Sequence, residues 1–149
     1  MLTNEQIALG KSAVKAKRFR WLVGMNIIEP EYGNTSFRLC WKDDTYYHGV
    51  TENSAWYRVK HANMMNKALD ITDYATLGCL LALVREALNR QQLTVEFVWT
   101  DPGVTGLWRV WYEASVLSHS DTEAGALISA LSALDAAYED EVGRENKLC

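Results

Sequence analysis

The chain has 149 residues, 48% of them hydrophobic, and a formal net charge of −4. That is enough apolar material for one domain with a sizeable core, and the acidic balance argues against a general nucleic-acid binder. No apolar run approaches the ~20 residues of a membrane span, and the three cysteines (Cys40, Cys79, Cys149) show neither a CxxC nor a metal-ligand spacing, which fits a reducing compartment.

Thr3 and Gln6 stand at capping-box spacing, so a helix is expected from about Asn4 to Lys17. Its apolar face is thin (Ile7, Ala8, Ala13, Val14), and Gly10 weakens it further. In "RWLVGMNII" the alternation puts Trp21, Val23, Met25 and Ile27 on one face of a strand. "EPEYGN" is a turn by Pro30 and Gly33–Asn34. "TSFRLCW" is the returning strand of a hairpin, with Phe37, Leu39 and Trp41 inward.

"KDDTYYHGVTENS" reads as a long polar loop over 42–54. "AWYRVKH" is a third strand, and "ANMMNKALDI" leads from it to a second helix over about Asp73–Arg90. Leu77, Leu80, Leu81, Val84 and Leu88 form that helix's stripe, and Thr72 or Asp73 can cap it. Cys79, within this apolar run, reads as buried filler.

"LTVEFVW" is a fourth strand, with Leu93, Val95, Phe97 and Trp99 inward. "TDPGVTG" is a hairpin loop carrying Pro102–Gly103, and "LWRVWYEA" is a fifth strand. Ser120 and Glu123 suggest a second capping box. The helix after it carries Ala124, Leu127, Ile128, Leu131, Leu134 and Tyr138 on one face.

The expected order is α-β-β-β-α-β-β-α. It implies an α+β fold, a five-stranded, mostly antiparallel sheet with about three helices packed on it. Residues 1–149 are read as a single domain with an acidic tail over about 139–149. Lys11, Lys15, Lys17, Arg18 and Arg20 make the N-terminal segment basic; Asp135, Glu139, Asp140, Glu141 and Glu145 make the C-terminal one acidic. These are either two solvated surfaces or a basis for head-to-tail attraction within a homo-oligomer. The first twenty residues hold five basic side chains and no long apolar block, which reads as no secretory signal.

The outward positions of three strands share a composition. With Phe37, Leu39 and Trp41 inward, Arg38 faces out. With Tyr57, Val59 and His61 inward, Trp56, Arg58 and Lys60 face out. With Trp108, Val110 and Tyr112 inward, Arg109, Trp111 and Glu113 face out. Guanidinium groups suit bidentate recognition of phosphate or carboxylate, and an exposed Trp suits ring stacking. Arg38, Trp56, Arg58, Lys60, Arg109 and Trp111 are therefore candidates for binding an anionic, nucleotide-like small molecule. The same composition also describes cation–π packing on a solvated sheet or the centre of an oligomer interface. A one-residue slip of register would exchange the two faces.

Signals for catalysis are sparse. Asp43, Asp44 and His48, with Tyr46 and Tyr47, share the 42–54 loop, where a carboxylate and an imidazole can do acid–base work. His61, on an expected core face, reads as a hydrogen-bonded core histidine, and His119 has no evident partner. There is no GxSxG, HExxH, P-loop or GxGxxG. No catalytic residue, metal site or cofactor is assigned, and the chain is read as leaning away from enzymes.

"LDITDYATLGCLLALVREALN", "LWRVWYEAS" and "DTEAGALISALSALDAA" together resemble segments of small phage and prophage proteins with the phage ABA-sandwich domain, over about residues 69–138. Tyr74 departs from that pattern, which has proline in the first helical turn. The resemblance implies a phage accessory protein acting in the host bacterial cytoplasm and supplies no catalytic residues. Taken with the outer-face and loop residues above, it leaves three roles. One is a non-catalytic, counter-defence sponge for a nucleotide-derived immune signal, with Arg38, Arg58 and Arg109 on phosphate and Trp56 or Trp111 stacking. Another is a protein inhibitor of a host defence factor, through the acidic tail and Tyr46–Tyr47. The third is a small hydrolase using Asp43, Asp44 and His48. Nucleic acid ranks last among partners, and no membrane partner is expected.

Overall fold

The computed structural model describes residues 1–88, 93–99, 106–112 and 115–148, with side chains to residue 135. The Pro102–Gly103 loop and Glu113 lie outside the described residues. Two compact units are present, residues 1–15 with 19–79 and residues 16–18 with 80–149.

The first unit opens with α1 (Asn4–Val14), whose Thr3–Gln6 capping box forms as expected. β1 (Asn26–Glu29), β2 (Thr35–Lys42), β3 (Tyr46–Thr51), β4 (Trp56–Lys60) and β5 (Ala68–Leu69) follow. They form one antiparallel sheet in the order β4-β3-β2-β1-β5. Ile27, Phe37, Leu39, Val59 and Leu69 are buried on one face of it. Gly10 is not a weak point of α1 but a requirement. A Cβ there would lie 2.2 Å from the Leu69 carbonyl oxygen, so only glycine lets the helix approach β5.

The β1–β2 hairpin turns where expected, through a short 3-10 turn at Pro30–Tyr32 followed by Gly33 and Asn34 with φ of 67° and 61°. β1 itself is shorter than the alternation of 21–27 suggests. Gly24 has φ 99°, which interrupts the extended run; Trp21 and Met25 are still buried, whereas Val23 is exposed.

The larger correction concerns 42–54, which is not a loop. Tyr46–Thr51 pairs with both β2 and β4. Asp43 closes the tight turn before it, its Oδ1 accepting from the backbone N–H of Thr45 (2.8 Å) and Tyr46 (2.7 Å). Gly49 is required within the strand, since a Cβ there would sit 2.5 Å from the Phe37 ring.

α2 (Tyr74–Ala87) is divided between the units. Asp73 caps it as expected, Oδ2 accepting from Thr76 N–H at 2.8 Å. In the second unit Leu80, Leu83, Val84 and Leu88 are buried on this helix and its last turn. Cys79, before them, is only half-buried; burial raises its thiol pKa.

β6 (Leu93–Val98), β7 (Leu107–Tyr112) and β8 (Ser115–Ser120) form a three-stranded antiparallel sheet in that order. α3 (Glu123–Leu148) packs on β7 and β8, its buried Ala124, Ala126, Leu127, Ala130 and Leu131 giving it a smooth face. The helix does not stop before the acidic tail but continues through it to Leu148. Its cap is Thr122, which accepts from Gly125 N–H at 3.0 Å, rather than Ser120, which ends β8.

The α+β class, a five-stranded antiparallel sheet and three helices thus stand as expected. The strands at 46–51, 68–69 and 115–120 are additional, and those after α2 form a sheet of their own. No helix among the described residues is long and apolar enough to cross a membrane.

Candidate functional site

Directly opposed residues in neighbouring strands share a face. On the outer face of the five-stranded sheet this gives three rows: Asn26–Arg38–Val50–Trp56, Trp41–His48–Arg58, and Tyr46–Lys60. Arg38, Trp56, Arg58 and Lys60 therefore lie on one surface, in the register expected. β4 is an edge strand, and Trp56 on it is 73% exposed.

Trp41, expected inward, belongs to this surface. A bulge between Leu39 and Trp41 inserts Cys40 as an extra residue and turns the indole outward. There it stacks on His48 with ring centroids 3.7 Å apart and planes within 5°. His48 Nε2 donates to Asp43 Oδ2 at 2.8 Å, and that bond, with the Thr45 and Tyr46 amides, draws the Asp43 carboxyl down to about 2. Arg58 lies over the Tyr46 ring, 4.6 Å from its centroid. Asp43 and His48 do meet, as acid–base chemistry would need, but their bond serves the hairpin turn and the Trp41 stack. His61 is not a core residue: it is exposed, with its ring 4.4 Å from that of Tyr47.

Arg38 is committed within the protein. Its Nη2 donates to Asp73 Oδ1 (2.6 Å), and Nη1 to Asp73 Oδ2 (3.1 Å) and the Gly24 carbonyl (2.6 Å). The hydrogen bonds to Asp73 raise the guanidinium pKa and lower that of the carboxyl. An Arg whose charge is cancelled by a bidentate carboxylate has little attraction left for a phosphate.

Beside Arg38 lies a hollow of about 580 Å³. Asn26, Ser36, Arg38, Cys40 and Val50 form its floor on the sheet, and Glu52, Asp70, Thr72, Asp73 and Tyr74 its walls. A second hollow of about 480 Å³ shares Ser36, Glu52, Asp70 and Thr72 with it and extends to Met1, Leu2 and Gln6. The volume is in the range of small-molecule sites.

Arg109 and Trp111 are carried by β7 of the other sheet. Trp108, Val110 and Tyr112 share the opposite face of β7, as expected, with Val110 fully buried. Trp111 has a packing role: its Nε1 donates to Glu96 Oε1 on β6 at 2.5 Å. Leu93, Val95 and Phe97 share the Val110 face, opposite Tyr112, Val110 and Trp108, as expected. Phe97 and Trp99 are nonetheless exposed and form an edge-to-face pair with centroids 5.1 Å apart.

No group of His, Cys, Asp and Glu among the described residues is arranged to hold a metal ion. Sequence reasoning missed Trp41, Tyr46 and His48 as members of the outer face. The alternation of Tyr46, His48 and Val50 is the signal that could have found two of them; a bulge leaves none. Compared with protein-family models, curated proteins and solved structures, the chain matches none.

Proposed function

We propose that the chain is a non-catalytic binding module that holds an anionic, nucleotide-like small molecule on the outer face of its five-stranded sheet. The observation that carries this reading is the row of exposed Trp56, Arg58 and Lys60 on β4, with Arg58 braced on the Tyr46 ring. Trp56 offers an open face for a base, and Arg58 and Lys60 offer uncancelled positive charge for a phosphate. Arg38 supports the floor of the site and does not hold the phosphate. The resemblance to small phage proteins supports a use in sequestering a nucleotide-derived signal in the host.

The test is calorimetric titration of the purified protein with nucleoside mono- and diphosphates. Wild type is expected to bind at least one of them. Arg58→Ala combined with Lys60→Ala is expected to weaken that binding by about tenfold or more. Equal binding by the variant, or no nucleotide bound by wild type, overturns the reading.

A second reading, a host protein docked on the same face, is favoured by the exposure of Trp56 on an edge strand, since aromatic and arginine side chains anchor protein interfaces. Capture of one defined host protein by wild type and not by Trp56→Ala would support it.

A further inference from the structure

We infer that the hollow beside Arg38 takes the uncharged, hydrogen-bond-donating part of the ligand, its ribose hydroxyls or exocyclic amine, while the phosphate stays outside on Arg58 and Lys60. The inference rests on the reading above and assigns the ligand's orientation.

The charge of the hollow carries it. Its lining has three carboxylates, Glu52, Asp70 and Asp73, against the single guanidinium of Arg38. Asp73 cancels Arg38 and also accepts from Thr76. Asp70 accepts from the Asn26 amide at 2.9 Å and from the Thr72 hydroxyl and N–H at 2.7 and 3.0 Å. Glu52, in the turn after β3, makes no hydrogen bond or ion pair with another described residue. A phosphate in the hollow would meet these carboxylates with no free cation to offset them. A hydroxyl or amine would instead find in Glu52 a charged acceptor.

The spacing agrees. Val50, on the hollow's floor, stands opposite Trp56, two residues along β4 from Arg58. With about 3.4 Å per residue along a strand and about 4.8 Å between strands, Arg58 and Val50 are roughly 8 Å apart. One nucleotide can therefore reach from the cations, past the indole of Trp56, into the hollow.

The experiment is titration with ribonucleoside 5′-monophosphates, their 2′-deoxy counterparts, inosine monophosphate beside adenosine monophosphate, and inorganic phosphate. Glu52→Gln is the variant, at an exposed turn position that leaves the fold intact. The best ribonucleotide is expected to lose about tenfold in affinity when either its 2′-hydroxyl or its exocyclic amine is removed, and Glu52→Gln is expected to erase most of that loss. Loss on 2′-deoxygenation assigns the ribose to the hollow, and loss on removing the amine assigns the base. Unchanged or tighter binding to Glu52→Gln overturns the orientation, because removing a repelling charge would help a phosphate. That outcome leaves the binding face itself in place. Failure of wild type to bind any nucleotide overturns both.

Discussion

Arg38 on β2 clamps Asp73, the capping residue of α2, with its Nη2 2.6 Å from Asp73 Oδ1. One carboxylate thus joins the floor of the sheet to the first turn of a helix. Asp73→Ala removes the cap and leaves Arg38 without its partner. The cap contributes about 1 kcal/mol; the ion pair adds about another 1, discounted because Arg38 is 43% exposed. Urea denaturation should show a loss of about 2 kcal/mol for Asp73→Ala, and a smaller one for Asp73→Asn, which keeps a capping side chain.

The same pair predicts acid sensitivity. Asp73 titrates lower in the folded protein than its ordinary value, because Arg38 hydrogen-bonds its ionised form. Asp43 is drawn down to about 2 by His48 and the turn amides. A carboxyl depressed on folding contributes stability above its unfolded value of about 3.9, and that contribution is lost as pH falls through the folded value. The urea midpoint should therefore fall between about pH 4 and pH 2, and the fall should be shallower in Asp73→Asn. An identical slope in the variant would remove Asp73 from the account.

Glu29 and Lys67 form a buried ion pair that the half-buried Tyr57 joins. Lys67 Nζ lies 2.7 Å from Glu29 Oε1, and the Tyr57 hydroxyl donates to Oε2 at 2.5 Å. Burial and the Glu29 bond push the Tyr57 hydroxyl up to about 12. Both charged side chains are nearly inaccessible, Glu29 at 2% and Lys67 at 6%. Lys67→Met leaves a buried carboxylate unpaired and should cost about 3 kcal/mol or more, whereas Lys67→Met with Glu29→Gln should recover much of it. Thermal unfolding of the two singles and the double measures that coupling.

Two glycine substitutions should have opposite signs. Gly49→Ala drives a Cβ into the Phe37 ring and the Arg38 carbonyl, each 2.5 Å away, and should cost about 1–3 kcal/mol. Gly78→Ala, at an exposed helical position with nothing within 4 Å, should stabilise α2 by about 0.5–1 kcal/mol. Melting temperatures of the two variants check both.

Elements whose signal is local were legible in the sequence: the Thr3–Gln6 box, the Asp73 cap, the Pro30–Asn34 turn, and most of the stripe of α2, where Leu80, Val84 and Leu88 are buried as read but Leu83 is buried in place of the half-buried Leu77 and Leu81. Capping and periodicity are written in residues a few positions apart, so the chain states them without its fold. The outward row Trp56–Arg58–Lys60 was legible for the same reason, since strand alternation is strict where no bulge intervenes. Tertiary contacts decided the rest. β3 is polar and contains a glycine, and it is a strand because β2 and β4 pair with it on either side. The bulge at Cys40 reversed Trp41, and no local preference encodes it. Arg38 stood in the right register beside Arg58, but its charge is cancelled by Asp73, 35 residues away along the chain. Alternation specifies which face a side chain occupies. Whether its charge is free depends on which distant residue the fold brings to it.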